Sequence, residues 1–279
     1  MQRIQIAHSP DSDDAFMFYG LATGKVEAHG FSFEHVLSDI ETLNKKALEG
    51  TYEVTAISIH AYPYLCDRYQ LLNCGASMGE GYGPILISRT PLQPAELGGV
   101  EVAVPGERTS ALLALRLRFP DIRYRVMPFD EIQQAVGDGR VETGLLIHEG
   151  QLSFREDGLH PVIDLGQWWQ DETGMPLPLG GNVIRRDLGP DTIAELSRLV
   201  YESIRHALDH REAALEYALQ FGSGLSAQQG DQFVSMYVNE RTLDYGDDGR
   251  RSVQLFLDRG FEAGLIPSQV KVDFVPGER

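Results

Sequence analysis

The chain reads GLLIHEG at residues 144–150, an apolar run of strand length that ends at a histidine, an acid and a glycine. In an α/β sheet, the carboxyl end of a strand opens onto the ligand crevice. The imidazole of histidine titrates near neutral pH, so it is the usual proton acceptor at such a position. The run therefore predicts that His148 is the base of a small-molecule enzyme. The alternative is that His148 only caps the strand and bonds to nearby backbone.

An earlier part of the chain follows the same plan. The pattern predicts a helix followed by a strand at 38–59 and again at 130–147. When Gly50 is set on Gly139, the first of these strands ends at Ser58, beside the histidine. Two similar units would bring two strand ends to one place, although ordinary βαβ geometry produces this spacing without duplication.

The composition excludes several classes of partner. The 279 residues are 42% hydrophobic, enough for one large domain or two smaller ones, and the formal charge is −17. This charge argues against nucleic acid and anionic membranes, whereas a local pocket can still hold a small acid. With no stretch of transmembrane length and no signal-peptide pattern, we expect a cytoplasmic protein. Cys66 and Cys74 lack paired metal spacing, so no metal site is expected. The oligomeric state stays open.

Two loops carry candidate binding groups. The first reads HSPDSDD at 8–14, and its acids surround a predicted helix start. These acids suit the helix dipole and disfavour an anion, so they either cap the helix or accept hydrogen bonds from substrate hydroxyls. In the second loop, Thr109 and Ser110 precede a helix predicted at 111–118, directly after a strand. Free backbone N–H groups there could bind a substrate carboxylate, and ordinary capping is the alternative.

The remainder of the chain looks structural. Trp168 and Trp169 precede PLPLGG at 176–181, where two prolines and two glycines suggest a return crossover between domains. The tryptophans either wall a pocket for a flat ligand or belong to the core. Asp191 is predicted to cap a long amphipathic helix, and further helices are predicted to follow it.

Four segments resemble one known family: LLIHEGQ at 145–151, SPDSDDAFMFYGL at 9–21, PLPLGGN at 176–182 and VNERTLDYG at 238–246. They are similar to the menaquinone-biosynthesis branch of the periplasmic-binding-protein-like proteins. Within this branch the chain is most similar to the 1,4-dihydroxy-6-naphthoate synthases of the futalosine route. The resemblance spans nearly the whole chain, and the histidine motif is its most specific part.

The resemblance implies an α/β, two-domain periplasmic-binding-protein-like (type II) fold with two crossovers and an interdomain cleft. The first domain would be discontinuous, from 1–88 and 181–279, and the second would span 89–180. The implied activity is that of a carbon–carbon lyase, which opens cyclic dehypoxanthinyl futalosine and releases 1,4-dihydroxy-6-naphthoate. The implied ligand is a small carboxylate, with no metal or organic cofactor.

The resemblance also assigns roles to particular residues. His148 would be the proton acceptor. Substrate contacts would come from a strand end and a helix start, namely Ala56, Ile57, Ser58, Thr109 and Ser110. In the first loop the family commonly reads SPCPNDTF. Asp14 is kept there, while Asp11, Asp13 and Ala15 replace the cysteine, asparagine and threonine. An extra negative charge would weaken the binding of an anionic substrate, so the exact substrate stays open.

Two alternatives remain. Chorismate dehydratase, a sister enzyme of the same pathway, shares the fold, but a histidine base is not expected at this strand end. A non-catalytic protein that binds a small acid would usually carry an export signal, and no such pattern is present.

Overall fold

Two β-sheets organise the computed structural model, which describes residues 1–221 and 226–277. The described strands are β1 (Gln2–His8), β2 (Phe31–Leu37), β3 (Val54–Ser58), β4 (Tyr69–Leu71), β5 (Ser77–Gly79), β6 (Ile85–Ser88), β7 (Glu101–Val104), β8 (Arg123–Val126), β9 (Thr143–Leu146), β10 (His160–Asp164) and β11 (Leu177–Arg185). The first sheet has the order β2-β1-β3-β11-β4, with β5 also paired to β11, and the second has the order β10-β6-β9-β7-β8. In the first sheet β1 is parallel to β2 and β3, and β11 is antiparallel to its neighbours. In the second, β7 is parallel to β8 and β9.

Helices surround both sheets. They are α1 (Ser12–Met17), α2 (Tyr19–Ala22), α3 (Ile40–Glu49), α4 (Ser110–Arg118), α5 (Ile132–Gly137), α6 (Gly150–Ser153), α7 (Leu165–Thr173), α8 (Pro190–Asp209), α9 (Arg211–Ala218), α10 (Ala227–Tyr237), α11 (Glu240–Leu243) and α12 (Gly246–Glu262). None of the described helices is both long and apolar enough to cross a membrane.

The chain passes between the sheets twice, as expected for two domains with two crossovers. The first passage joins β5 to β6 through residues 80–84, and the second joins α7 to β11 through residues 174–176. The predicted α/β, two-domain fold with an interdomain cleft is confirmed. The boundaries at 88/89 and 180/181 stay predictions, and sheet membership favours a slightly earlier position for both. The reason is that Ile85–Ser88 pairs in the second sheet and Leu177 begins a strand of the first.

Local sequence explains where several helices begin and end. The carboxylate of Asp39 accepts a hydrogen bond from the N–H of Thr42 (2.9 Å) and caps α3, which ends at Gly50 in the left-handed region (φ 72°). The expected cap at Asp191 is wrong. Helix α8 begins at Pro190, two residues before the start that a cap at Asp191 would give; the fixed φ of proline suits the first helical position, and no side chain caps the helix.

Apolar side chains of α8 pack on the first sheet, as its periodicity indicates. Leu196, Val200 and Ile204 are buried in one cluster with Ile4 and Ile6 of β1. Burial of these side chains keeps water away from this face of the first sheet. The site lies at the ends of the strands of the same sheet.

Trp169 belongs to the core. Its ring is fully buried, its Nε1 donates to Ser252 Oγ (3.1 Å), and it contacts the edge of Phe256. Trp168 is half-buried, and neither tryptophan lines the cleft. Of the two interpretations of this pair, the structure therefore favours core packing.

Candidate active site in the interdomain cleft

A cleft with an empty volume of about 760 Å³ lies where the strand ends of the first sheet face α4 and α6 of the second domain. Its walls include all six residues expected to contact a substrate, namely Asp14, Ala56, Ile57, Ser58, Thr109 and Ser110. These residues come from three separate parts of the chain. The fold therefore brings the predicted binding groups to one place.

Ser58 is held at the end of β3 by Asn44 of α3. Asn44 accepts a hydrogen bond from the Ser58 N–H (2.9 Å) and donates one from Nδ2 to its hydroxyl oxygen (3.1 Å). Both residues are buried. Because its oxygen already accepts from Asn44, the Ser58 hydroxyl is oriented to donate a hydrogen bond to a ligand.

Thr109 and Ser110 line the cleft and also make hydrogen bonds within the protein. Thr109 caps α4 by accepting from the Leu112 N–H (3.3 Å). The Ser110 hydroxyl donates to the Leu179 carbonyl (2.5 Å) and accepts from the N–H of His60 (3.2 Å), which ties α4 to β11. The hydroxyls are thus largely used for capping and bridging. The first-turn N–H groups of this nine-residue helix still favour a negative charge at its start.

The first loop adds three acids to the cleft wall. The Asp14 carboxylate accepts from the Ser9 N–H (2.7 Å), and burial raises the pKa of Asp14 to about 6. Burial, with nearby Glu149 and Asp14, raises the pKa of Asp11 to about 8 and raises that of Asp13 well above its usual value. Acids with raised pKa values are partly protonated near neutral pH. The extra carboxyl groups therefore oppose an anionic ligand less than their number suggests.

The His148 ring does not line this cleft. It lies in a second cavity, here called the outer cavity, together with Pro10, Phe129 and Asp130. Its Nδ1 accepts the Gly150 N–H (2.9 Å), so Nε2 carries the proton and donates to the Phe129 carbonyl (3.1 Å). Burial lowers the pKa of His148, so the ring is neutral at pH 7. This arrangement matches the capping alternative, while Ile147 faces the cleft.

Glu149 bridges the two domains and makes no hydrogen bond to His148. Its Oε1 accepts from the hydroxyl of Ser12 (3.2 Å) and from the N–H of the same residue (3.4 Å), in the first turn of α1. The carboxylate is buried. It therefore joins the histidine loop of the second domain to the first loop of the chain.

Sequence reasoning missed Asn182 as part of the site, although it ends the PLPLGGN segment. Its Nδ2 donates to the Gly75 carbonyl (3.1 Å), and its buried Oδ1 has no partner among residues 1–221 and 226–277. Gly75 has φ 78°, and a Cβ there would collide with the Asn182 amide. A fixed amide on the cleft wall with an unused acceptor is suited to a ligand hydroxyl.

No metal ligands are assigned. Within the part of the chain that the structure describes, no three His, Cys, Asp or Glu side chains converge as a metal site, and the cleft wall carries no lysine or arginine. A carboxylate ligand would therefore be held by hydrogen-bond donors and a helix start rather than by an ion pair.

Comparisons with known proteins cover almost the whole chain. The family model described as menaquinone biosynthesis matches residues 4–262. A Thermus thermophilus protein named 1,4-dihydroxy-6-naphtoate synthase is 40% identical over 99% of this chain and 100% of its own length. A Streptomyces coelicolor protein of the same name is 37% identical over 95% of each chain.

Solved structures agree with the fold. A crystal structure of a protein from Archaeoglobus fulgidus is 44% identical, covers 95% of this chain and 98% of its own, and has a TM-score of 0.91. A Candida albicans protein described as having the generic periplasmic binding protein fold is 14% identical, with coverage of 100% and 99% and a TM-score of 0.70. The predicted periplasmic-binding-protein-like architecture is confirmed.

Proposed function

Since the chain belongs to the menaquinone biosynthesis family, we propose that it is a carbon–carbon lyase that converts cyclic dehypoxanthinyl futalosine to 1,4-dihydroxy-6-naphthoate. The names of two near-full-length relatives support this activity. The observation that carries it is the convergence of Asp14, Ser58, Thr109 and Ser110 on one largely apolar cleft. Such a cleft is suited to a flat aromatic acid that also carries hydroxyl groups.

The polarity of the cleft supports one orientation of the substrate. The start of α4 beyond Thr109 offers backbone donors and a positive helix end to the carboxylate. The acids of the first loop and the free oxygen of Asn182 offer partners to hydroxyl groups. The cleft wall therefore offers donors to a carboxylate at the start of α4 and acceptors to hydroxyl groups at the first loop and at Asn182.

The reaction needs a base and a site that excludes water. Removal of a proton from the bound substrate starts ring opening and carbon–carbon cleavage, and aromatisation of the product drives the reaction forward. We propose His148 as the proton acceptor, supported by its neutral state and its place next to cleft-lining Ile147. Because its ring faces the outer cavity and both ring nitrogens are bonded to backbone, the proposed role requires the ring to rotate towards the cleft and to give up the bond from the Gly150 N–H. The cytoplasmic location and the absence of a cofactor stay predictions from the sequence.

The test is incubation of the purified protein with cyclic dehypoxanthinyl futalosine, with absorbance and mass detection of the naphthoate. Release of 1,4-dihydroxy-6-naphthoate is the expected result. Consumption of chorismate instead would identify a chorismate dehydratase. Binding of the futalosine derivative without conversion would identify a small-acid binding protein, and either outcome would refute the proposed activity.

A further inference from the structure

Gly180 of β11 differs from the other glycines inside the described strands. Glycine weakens a strand, so each such position calls for a reason. Packing supplies the reason at three of the four positions, because an added Cβ would collide with neighbouring atoms at Gly79, Gly144 and Gly181. At Gly180 a Cβ would meet only the Ile57 carbonyl oxygen at 3.5 Å and the Ser77 Cβ at 3.7 Å, which is ordinary van der Waals contact. Its φ is not in the left-handed region either, so neither packing nor backbone conformation requires glycine at this position.

The missing side chain leaves a gap in the cleft wall. Gly180 pairs with Ser58 of β3 on one side and with Ser77 of β5 on the other. Residues directly opposite each other in antiparallel strands point to the same face of the sheet. The two serine side chains therefore flank a gap one side chain wide, with the backbone of Gly180 at its floor. All three residues line the cleft, so the gap adds to the space for a ligand.

Polar groups suited to a ligand lie on both sides of Gly180 along β11. The carbonyl of Leu179 accepts from the Ser110 hydroxyl (2.5 Å) at the start of α4, where a carboxylate is favoured. Asn182, two residues after Gly180, points to the same face of the sheet. It is only 1% exposed, it lines the cleft, and its Oδ1 has no partner within the described part of the chain. Gly180 thus lies between a strand position bonded to the helix start and an unused acceptor.

We propose that Gly180 is a specificity-determining residue, which lets the face of a flat ring lie directly against the backbone of β11. The carboxylate of the ligand then points to the start of α4, and a ring hydroxyl donates to Asn182. Close approach of a ligand to backbone is a recurrent reason for glycine inside a strand. This inference rests on the proposed lyase function and deepens it, because it identifies the part of the cleft that selects a planar aromatic acid.

The decisive variant is Gly180→Ala, which adds one methyl group to the gap. We expect the Kd for 1,4-dihydroxy-6-naphthoate, measured by calorimetry, to rise at least about tenfold, because overpacking a closely fitted site is unfavourable. The KM for cyclic dehypoxanthinyl futalosine should rise by a similar factor. The thermal midpoint without ligand should equal or exceed that of the wild type, since the Cβ meets no close atom and alanine restricts the unfolded chain.

Two further glycine variants serve as controls. Gly98→Ala adds a Cβ at an exposed position outside the cleft with no atom within 4 Å, and it should leave both Kd and thermal midpoint unchanged. Gly181→Ala places a Cβ against the buried Tyr245 hydroxyl and should lower the midpoint. A Kd of Gly180→Ala within about twofold of the wild-type value would overturn the proposed role. A midpoint as low as that of Gly181→Ala would also overturn it, because packing would then require the glycine.

The wild type separates this inference from the proposed function. Binding of the naphthoate by a wild type that does not convert the futalosine derivative would refute the lyase activity, while the Kd of Gly180→Ala would still decide where the ring lies. A wild type that does not bind the naphthoate would refute both.

Discussion

The hydroxyl of Tyr237 donates a 2.9 Å hydrogen bond to Oε1 of Gln151 across the cleft. Tyr237 ends α10 in the first domain and Gln151 lies in α6 of the second, so the bond joins the two domains. Tyr237 is buried, and this burial raises its pKa, so the phenol stays protonated and remains a donor. Both residues line the cleft. This hydrogen bond therefore joins the two domains at the cleft wall.

Tyr237→Phe should weaken the closed form without changing the chemistry. The substitution keeps the ring and removes the donor, which leaves Oε1 of the half-buried Gln151 without this partner. We expect KM to rise roughly fivefold, corresponding to about 1 kcal/mol, with a smaller change in kcat. Steady-state kinetics measure both values. An unchanged KM would show that this bond does not contribute to closure.

Glu149→Ala should remove a second contact between the two domains. It removes the acceptor for both donors of Ser12 and leaves these buried groups unpaired. Such losses cost about 1–3 kcal/mol, so KM should rise by roughly tenfold and the thermal midpoint should fall. Glu142→Ala, at an exposed position before β9, is the control and should behave like the wild type. If Glu149 instead oriented the histidine, the loss would fall on kcat with KM preserved.

His148→Asn should abolish turnover while ligand binding survives. Removal of a positioned proton acceptor typically lowers kcat by about 100- to 10,000-fold. Binding of 1,4-dihydroxy-6-naphthoate, measured by calorimetry, should change little because the ring lies outside the cleft. The control is His29→Asn, an exposed position with φ 42° that asparagine tolerates. Full activity in His148→Asn would remove the histidine from the mechanism.

Much of the fold follows from local sequence signals. The two helix–strand units were aligned on Gly50 and Gly139. Both glycines have left-handed backbone conformations at the expected helix ends (φ 72° and 73°). Thr109 caps α4 as its position predicts. The start of α8 was missed because a hydroxyl or acid was expected, whereas Gly189 and Pro190 begin the helix through backbone conformation alone.

The direction of side chains was harder to predict than the positions of residues. Strand β9 ends at Leu146, and His148 lies in the bend that follows, where strand alternation no longer sets the direction of a side chain. Ile147 faces the cleft, whereas His148 faces the outer cavity. The sequence identifies the strand end, but which of the two side chains enters the cleft depends on how α5 and the Phe129 carbonyl pack beside it. Asn182 could have been found, because a polar residue ends the glycine-rich PLPLGGN segment.

The buried histidines predict a loss of stability in acid, and His60 allows a clean test. Burial lowers the pKa of His60 to about 4, while the unfolded chain titrates near the ordinary value of 6.5. Its Nδ1 bonds to the Thr109 carbonyl (3.2 Å). Stability from the neutral ring is complete above pH 6.5 and is lost as pH falls towards 4, by about 3 kcal/mol in full. Urea unfolding of wild type and His60→Gln should therefore converge at low pH, and a constant difference would contradict the burial argument.

The acids of the first loop predict the opposite dependence on pH. Because the folded pKa of Asp11 is raised to about 8, the folded state holds a proton that the unfolded state releases near pH 4. Folding is therefore opposed increasingly as pH rises from 4 to 8, and the cost is constant above that range.

Asp11→Asn removes this cost, so its thermal midpoint should exceed that of the wild type at pH 8, by about 2–4 °C for each kcal/mol relieved. The two midpoints should approach each other near pH 4. Thermal unfolding at the two pH values, with exposed Asp157→Asn as the control, measures the difference. A variant less stable than the wild type at pH 8 would contradict the argument that burial beside Glu149 and Asp14 disfavours the ionised form of Asp11.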